Sequence, residues 1–409
     1  MSAQAGGGGA AAAAAEVEVE QPPRLDLLRR FIQGDLAELR VVLILGVIWV
    51  IFYVQEDRFL SSVNLTNLVL QATAVGLVAV GVTLVLLLGE IDLSVGAVSG
   101  LCASIMAVLI EKEGWSPYLG IAAAVLAGTA IGLFQGSVFT RFAIPSFVVT
   151  LAGLLAWPGA QLEVLGETGT VNITNSKVTG LTSTFYSDTV GWIFAILAIG
   201  AFTAFNLLGR QRRLRAGLPA PPLGQVVLRI GLVAVAVLGA IWVLNDDRGL
   251  PLAVLILLGF VLLFFYITTK TTFGRHIFAV GGNAEAARRA GIKITGVRVI
   301  VFMIASTMAA VGGIMAASRL LAVNQSSGAG DFLLLAIAAP VIAGTSLFGG
   351  RGSVWHALLG ALVIQSISNG MDLLGLGTPV KFMVTGAVLL AAVVIDAIAR
   401  SQRRAAGRV

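Results

Sequence analysis

Twelve apolar runs divide this chain, most of them of the length that carries a helix across the ~30 Å hydrocarbon core of a bilayer. They cover about 41–54, 63–88, 93–110, 118–139, 146–162, 190–208, 226–244, 251–267, 297–317, 332–347, 354–370 and 378–397. Lipid offers no partner for backbone N–H and C=O groups, so a spanning segment must satisfy its own, and runs of this length do so as helices. Composition agrees. Only 12% of the 409 residues are charged and 57% are hydrophobic, where a soluble domain carries about 25% charged residues. The expected fold is an all-α polytopic membrane protein of about twelve transmembrane helices spanning 41–397, with broken helices lining a central path.

The net charge of +6 is spread as short basic clusters between apolar runs, a topology signal that sets nucleic acid aside. With the first run starting inside, 21 of the 27 Lys and Arg residues fall on inner connections and the two ends. Both termini are therefore expected in the cytoplasm. Residues 1–23 are low-complexity and read as disordered. The stretch 24–40, with Arg24, Arg29, Arg30 and Arg40, reads as an amphipathic segment on the inner surface, and 398–409 as a basic cytoplasmic tail.

The stretch Leu88-Gly-Glu-Ile-Asp-Leu-Ser-Val-Gly-Ala97 lies between two long runs and brings Glu90 and Asp92 to or near membrane depth. Ionisable groups there are costly and mark functional sites. Gly89 is placed to break one helix, and Asp92 or Ser94 to accept hydrogen bonds at the start of the next. Capping and substrate contact both fit, and both put the segment beside a pathway. Asn67, Gln71 and Thr73 join Glu90, Asp92 and Ser94 as pathway candidates, with Asn324 and Gln325 behind them. Amides and hydroxyls suit a neutral polyhydroxyl solute, although helix-to-helix hydrogen bonding explains the same residues.

A second informative segment is 278–292. Asn283 is placed to cap a short helix over Ala284–Ala290 and Gly291 to end it. Such a helix between spans either fits a groove on a cytoplasmic partner or ties off a loop. The loop 163–189, rich in Thr, Ser, Asn and Gly, reads either as a docking surface or as a solvated connection without secondary structure of its own. Gly344–Ser353 forms a glycine-rich turn, but no lysine follows a glycine anywhere, so no phosphate-binding Gly-Lys-Ser/Thr loop exists and this chain does not hydrolyse ATP alone. Cys102 is the only cysteine, and His276 and His356 lack metal-ligand spacing. No nucleophile–base pair or metal cluster appears, so the chain reads as a transporter component, not an enzyme.

Four stretches, in order, carry a family resemblance. Leu88–Gly100 resembles the signature of the permease subunits of ribose/xylose-type ABC sugar importers, and Asn64–Gln71 resembles the entry to their second span. Ala279–Ile292 resembles their cytoplasmic coupling segment, and Val341–Gly352 the turn before their last two spans. Glu90 and the stretch 368–379 look most like the xylose-type branch, whereas ribose-type members more often have glycine at that position. A pair of spans at about 226–267 is extra to the ten-span pattern of smaller members.

The resemblance covers about 38–397 and implies a type II importer-like fold and uptake of a monosaccharide such as xylose. It implies four partners: a second copy of the chain, a cytoplasmic ATPase with two nucleotide-binding domains, an external sugar-binding protein, and lipid of the plasma membrane. ATP and Mg would sit on the ATPase, leaving no cofactor and no metal on this chain. It also implies that Gly281, Gly282, Asn283, Glu285, Ala286, Ala287, Arg288 and Gly291 transmit the ATPase's motion. The competing class is a secondary transporter with Glu90 and Asp92 as proton or sodium ligands.

Overall fold

Every one of the twelve apolar runs forms a helix. The computed structural model describes residues 37–405. The stretch 1–23, most of 24–40 and residues 406–409 lie outside the described residues. In order, the larger elements are α1 Ala37–Gln55, α2 Ser62–Leu87, α3 Val95–Glu111, α4 Pro117–Arg141 and α5 Ser146–Leu165. After β1 Thr170–Asn172, α6 Ser176–Ser183 and β2 Phe185–Tyr186 come α7 Asp188–Arg215, α8 Leu223–Asp247, β3 Leu250–Pro251 and α9 Leu252–Lys270. The short α10 Thr272–Gly282 and α11 Ala284–Arg289 precede α12 Ile294–Leu320, β4 Ala322–Asn324, α13 Asp331–Ile342, α14 Trp355–Leu373 and α15 Thr378–Ala405. The basic residues assigned to a tail from 398 begin inside α15.

Seven of these helices, α2, α4, α5, α7, α8, α9 and α12, are long and apolar enough to cross a membrane. The twelve-span expectation therefore holds as twelve helices, but not as twelve of full span length. The shortfall has a local cause at two places: α3 starts late because the chain is outside any helix through 90–94, and α13 stops early at the turn opened by Gly344.

At the centre is α2, apolar on every face. Twenty of its residues are buried, as befits a helix wrapped by other helices rather than by lipid. Ser61 starts it by accepting a hydrogen bond from the Asn64 N–H. Beside it, α12 packs on α2, α3 and α4. The α4–α12 contact runs along Gly128, Gly132 and Gly136, spaced by four so that they share one face. A Cβ at Gly128 would stand 2.7 Å from the Ser306 carbonyl oxygen and one at Gly136 3.0 Å from Val299 Cα. At the Gly-x3-Gly of α3, the close neighbour is instead a loop: Gly96 and Gly100 press on the Ser327 and Gly328 carbonyls.

The peripheral pair is α7–α8, each with only about a tenth of its apolar window buried, and they pack on one another. By contrast, Ala253, Leu257, Val261 and Phe264 of α9 sit in the main core against α2. α8 also packs on α2, as α9 does, so of the pair α7–α8 only α8 reaches the central helix.

Residues 163–189 are ordered, contrary to the expected structureless loop. β1 pairs antiparallel with β4, Thr170 opposite Asn324, and β2 pairs with β3, Phe185 opposite Pro251. Glu111, at the end of α3, ties this region down: its carboxylate accepts from Thr174 N, Thr174 Oγ1 and Asn175 N. Partial burial pushes this carboxyl up, but the three hydrogen bonds outweigh it and hold it below its usual value of 4.5. A depressed carboxylate contributes stability above the unfolded value and loses it as pH falls through the folded one. Glu111→Ala is therefore expected to cost about 1 kcal/mol at pH 7. The gap in thermal unfolding between variant and parent should shrink as pH falls below 4.5; a gap that does not change with pH would refute the assignment.

Candidate functional site

The break after α2 is built from backbone capping. Gly89 N donates to Leu86 O and Glu90 N to Val85 O, with Gly89 at φ +73°, which together form a Schellman ending. The Leu87 carbonyl, left over by that ending, accepts from Gly350 N at 2.9 Å. The chain is then irregular up to Ser94, and α5 supplies partners for its free N–H groups. Ile91 N donates to Ser146 Oγ and Leu93 N to Thr150 Oγ1, two hydroxyls four residues apart and so on one helix face. Ser94 N and Ser94 Oγ both donate to Asp92 Oδ1, at 2.8 and 2.7 Å. Asp92 thus accepts from the N–H at the head of α3, whereas Ser94 only donates and makes no side-chain cap; irregular backbone is tolerated where its N–H groups find partners of this kind.

A second layer is buried and only partly satisfied. Ser94 Oγ lies 3.0 Å from Gln135 Oε1 of α4. Asp92 Oδ2, Gln135 Nε2 and Trp157 Nε1 are buried with no partner among the described residues. The missing side chain of Gly153 makes the room in which Gln135 and Trp157 meet, for a Cβ there would collide with the Gln135 amide nitrogen and stand 2.6 Å from Trp157 Nε1. Two free donors and one free acceptor in an apolar surrounding make this cluster ready to receive hydroxyls or water.

Glu90 lies at the end of the break. Its Oε1 pairs with Arg298 Nη2 at 2.8 Å and its Oε2 accepts from Ser146 Oγ at 2.7 Å. The pair forms part of the wall of a cavity of about 740 Å³ shared by the α4–α5 turn, Arg288 and the first residues of α12.

The expected capped helix exists as α11. Asn283 Oδ1 accepts from Ala286 N at 2.9 Å, and Gly291 takes φ +83° at its end. Phe278–Gly282 belong to the preceding α10, which Thr271 caps. Glu285 pairs with Arg288 and Arg289 on the exposed side, Ala286 is exposed, and Ala287 is buried beneath. Gly281 presses on the Leu87 carbonyl and Gly350 N, so α10, the end of α2 and the glycine turn meet at one point. A Cβ at Gly282 would meet nothing within 4 Å.

The six pathway candidates therefore fall into two groups. Glu90, Asp92 and Ser94 are together in the break. Asn67 is at the opposite end of α2, accepting from Arg248 Nη2, and Thr73 Oγ1 bonds back to Val69 O within its own helix. Gln71 is half-buried between them. Twenty residues of helix, ~30 Å, separate Asn67 from Leu87. Asn324 and Gln325 lie at the Asn67 end, where β4 pairs with β1. The residues that complete the break, Gln135, Ser146, Thr150, Trp157 and Arg298, were not singled out from sequence. The i, i+4 hydroxyls of α5 and the single cation at the head of an apolar run were the available signals.

Comparison with known proteins agrees with this architecture. Residues 64–393 match the family model described as branched-chain amino acid transport system / permease component. The chain is 38% identical over 356 residues to the xylose transport system permease protein XylH of Escherichia coli K12, covering 87% of this chain and 90% of that one. It is 36% identical to XylH of Haemophilus influenzae, with 87% and 95% covered. It is 31% identical over 363 residues to the ribose import permease protein RbsC of Bacillus subtilis, with 89% and 94% covered. No solved structure matches the chain at a significant level.

Proposed function

This chain belongs to the family of branched-chain amino acid transport system permease components, and from that premise we propose that it is the membrane subunit of an ATP-driven importer of a monosaccharide, most specifically a pentose such as xylose. The relatives named for xylose and ribose transport support the substrate class. The observation that carries the mechanism is the shared junction of α2's end, α10 and the glycine turn, through Leu87, Gly281 and Gly350. It gives a short helix pair, α10–α11, direct purchase on the broken helix of the pathway.

In this reading, two copies enclose the path in the plasma membrane with both termini in the cytoplasm. A cytoplasmic ATPase holds the ATP and Mg, and an external binding protein delivers the sugar. Closure of the ATPase presses on α11. The motion passes through Gly281 to Leu87 and through Ile292–Arg298 to Glu90, shifting the break that Asp92 and Ser94 hold. The buried donors of Gln135 and Trp157 and the free oxygen of Asp92 are suited to sugar hydroxyls once the path opens. Coupling of this kind needs two discrete arrangements of α10–α11 biased by nucleotide.

The test is uptake into proteoliposomes by the chain co-purified with its ATPase, alongside the same complex with Asn283–Gly291 replaced by a Gly-Ser linker of equal length. ATP-dependent uptake by the parent and its loss in the linker variant are expected. Undiminished uptake by the variant would overturn the coupling role. Uptake by the chain alone under a proton or sodium gradient would replace the ATP-driven reading with secondary transport. Against that alternative, both oxygens of Glu90 are already engaged, by Arg298 and Ser146.

A further inference from the structure

The cavity beside Glu90 has a chemistry that the transport reading leaves unused. Its wall carries three cations, Arg288, Lys293 and Arg298, against one carboxylate, Glu90, which Arg298 already neutralises. Arg288 shares the exposed Glu285 with Arg289, while Lys293 makes no salt bridge among the described residues. Arg298 Nε is buried there without a partner. The hydroxyl of Thr295 adds a donor, while that of Thr140 already donates to the Gly136 carbonyl.

Two long helices also begin at this cavity, α5 at Ser146 and α12 at Ile294, and neither has a side-chain cap. Their first N–H groups add partial positive charge at the same place. The lining is thus an anion site of about 740 Å³, far larger than a single carboxylate or chloride needs.

What lies beside it is apolar and exposed. Phe142, Phe147 and Leu151, on the α4–α5 turn and the outer side of α5, are 65%, 49% and 44% exposed. Both helices bury only about a fifth of their apolar windows, so this flank offers an apolar surface beside the cavity. A ligand that uses both parts has a phosphate-bearing head and hydrocarbon tails.

We propose that the Arg288/Lys293/Arg298 cavity binds a phosphodiester anion, presented by an anionic phospholipid whose acyl chains lie along Phe142, Phe147 and Leu151. Occupancy bridges α11 to the head of α12 and so ties the lipid surface to the coupling segment. Only the assignment of this end to the inner leaflet rests on the transport reading; the site itself does not.

The experiment is native mass spectrometry of the full-length chain released from mixed micelles of phosphatidylglycerol and phosphatidylcholine. The parent is expected to retain phosphatidylglycerol preferentially. The Arg288→Gln/Lys293→Gln variant, both positions being exposed, should lower that preference roughly thirtyfold, about fivefold for each surface cation removed. Arg58→Gln/Lys177→Gln, at the opposite end, should leave it unchanged. Equal preference in parent and Arg288/Lys293 variant, or an equal loss in the opposite-end variant, would overturn the site. A parallel thermal shift with inorganic phosphate separates the sources. Stabilisation of the parent but not of the Arg288/Lys293 variant by phosphate alone, without lipid retention, would keep the phosphate chemistry and assign it to a free anion. No sugar, ATP or partner enters the assay, so failure of the transport reading would leave its result intact.

Discussion

Gly281→Val is expected to lower the stability of the α10–α2 junction by about 3 kcal/mol, whereas Gly282→Val, one residue away, is expected to change it by less than about 0.5 kcal/mol. Both glycines stand in the segment that resembles a coupling element, and sequence gives no reason to rank them. Geometry does. A Cβ at Gly281 would overlap the Leu87 carbonyl oxygen and stand 2.8 Å from Gly350 N, while at Gly282 it meets nothing. The space at Gly281 is occupied by a hydrogen bond, Gly350 N to Leu87 O at 2.9 Å, and backbone cannot yield as a side-chain end can. Replacing glycine within a helix by itself favours the helix by several tenths of a kcal/mol, so a loss at position 281 can come only from the collision.

The separated α10–α11 should then become open to protease between 271 and 293, with ATP-driven uptake falling together with apparent melting temperature. Equal behaviour of the two variants would dismiss the junction as a point of transmission.

That contrast also shows where sequence reading reached its limit. The helices were legible because lipid enforces long apolar runs, and the caps at Asn283, Gly291 and Gly89 were legible because capping is local chemistry. Asp92 and Ser94 bond to each other over two residues, and they too could be read. Arg298 was counted only among the topology cations, since its role depends on Glu90, some two hundred positions earlier. Ser146 and Thr150 look like ordinary residues of an apolar helix until the irregular segment of the break is laid beside them. Loop 163–189 reads as polar filler because its partners, Glu111 and β4, come from elsewhere in the chain. Partner choice across helices is set by packing, which no local spacing records.

Arg298→Met is expected to destabilise the protein by about 2 kcal/mol, and Glu90→Gln to restore at least about half of that loss in the double variant. Removing the guanidinium leaves a carboxylate whose side chain is 15% exposed, with Ser146 as its one remaining partner. A fully buried pair broken this way costs about 3–5 kcal/mol. Arg298 keeps 31% exposure, and water near it reduces the figure. Glu90→Gln alone should be milder, because the amide oxygen still accepts from Ser146 Oγ or from Arg298. Replacing both removes the charge that lacked a partner, so the two effects should fall well short of adding. The cycle measured by thermal unfolding in detergent decides this: additive losses would mean that the pair carries no energy of its own. Function adds an independent reading. The pair joins the break after α2 to the head of α12, so the double variant should regain stability yet transport poorly, since the two elements would no longer move as one. A double variant that recovered both would make Glu90–Arg298 a structural tie and leave Gly281 as the sole link between α10–α11 and the pathway.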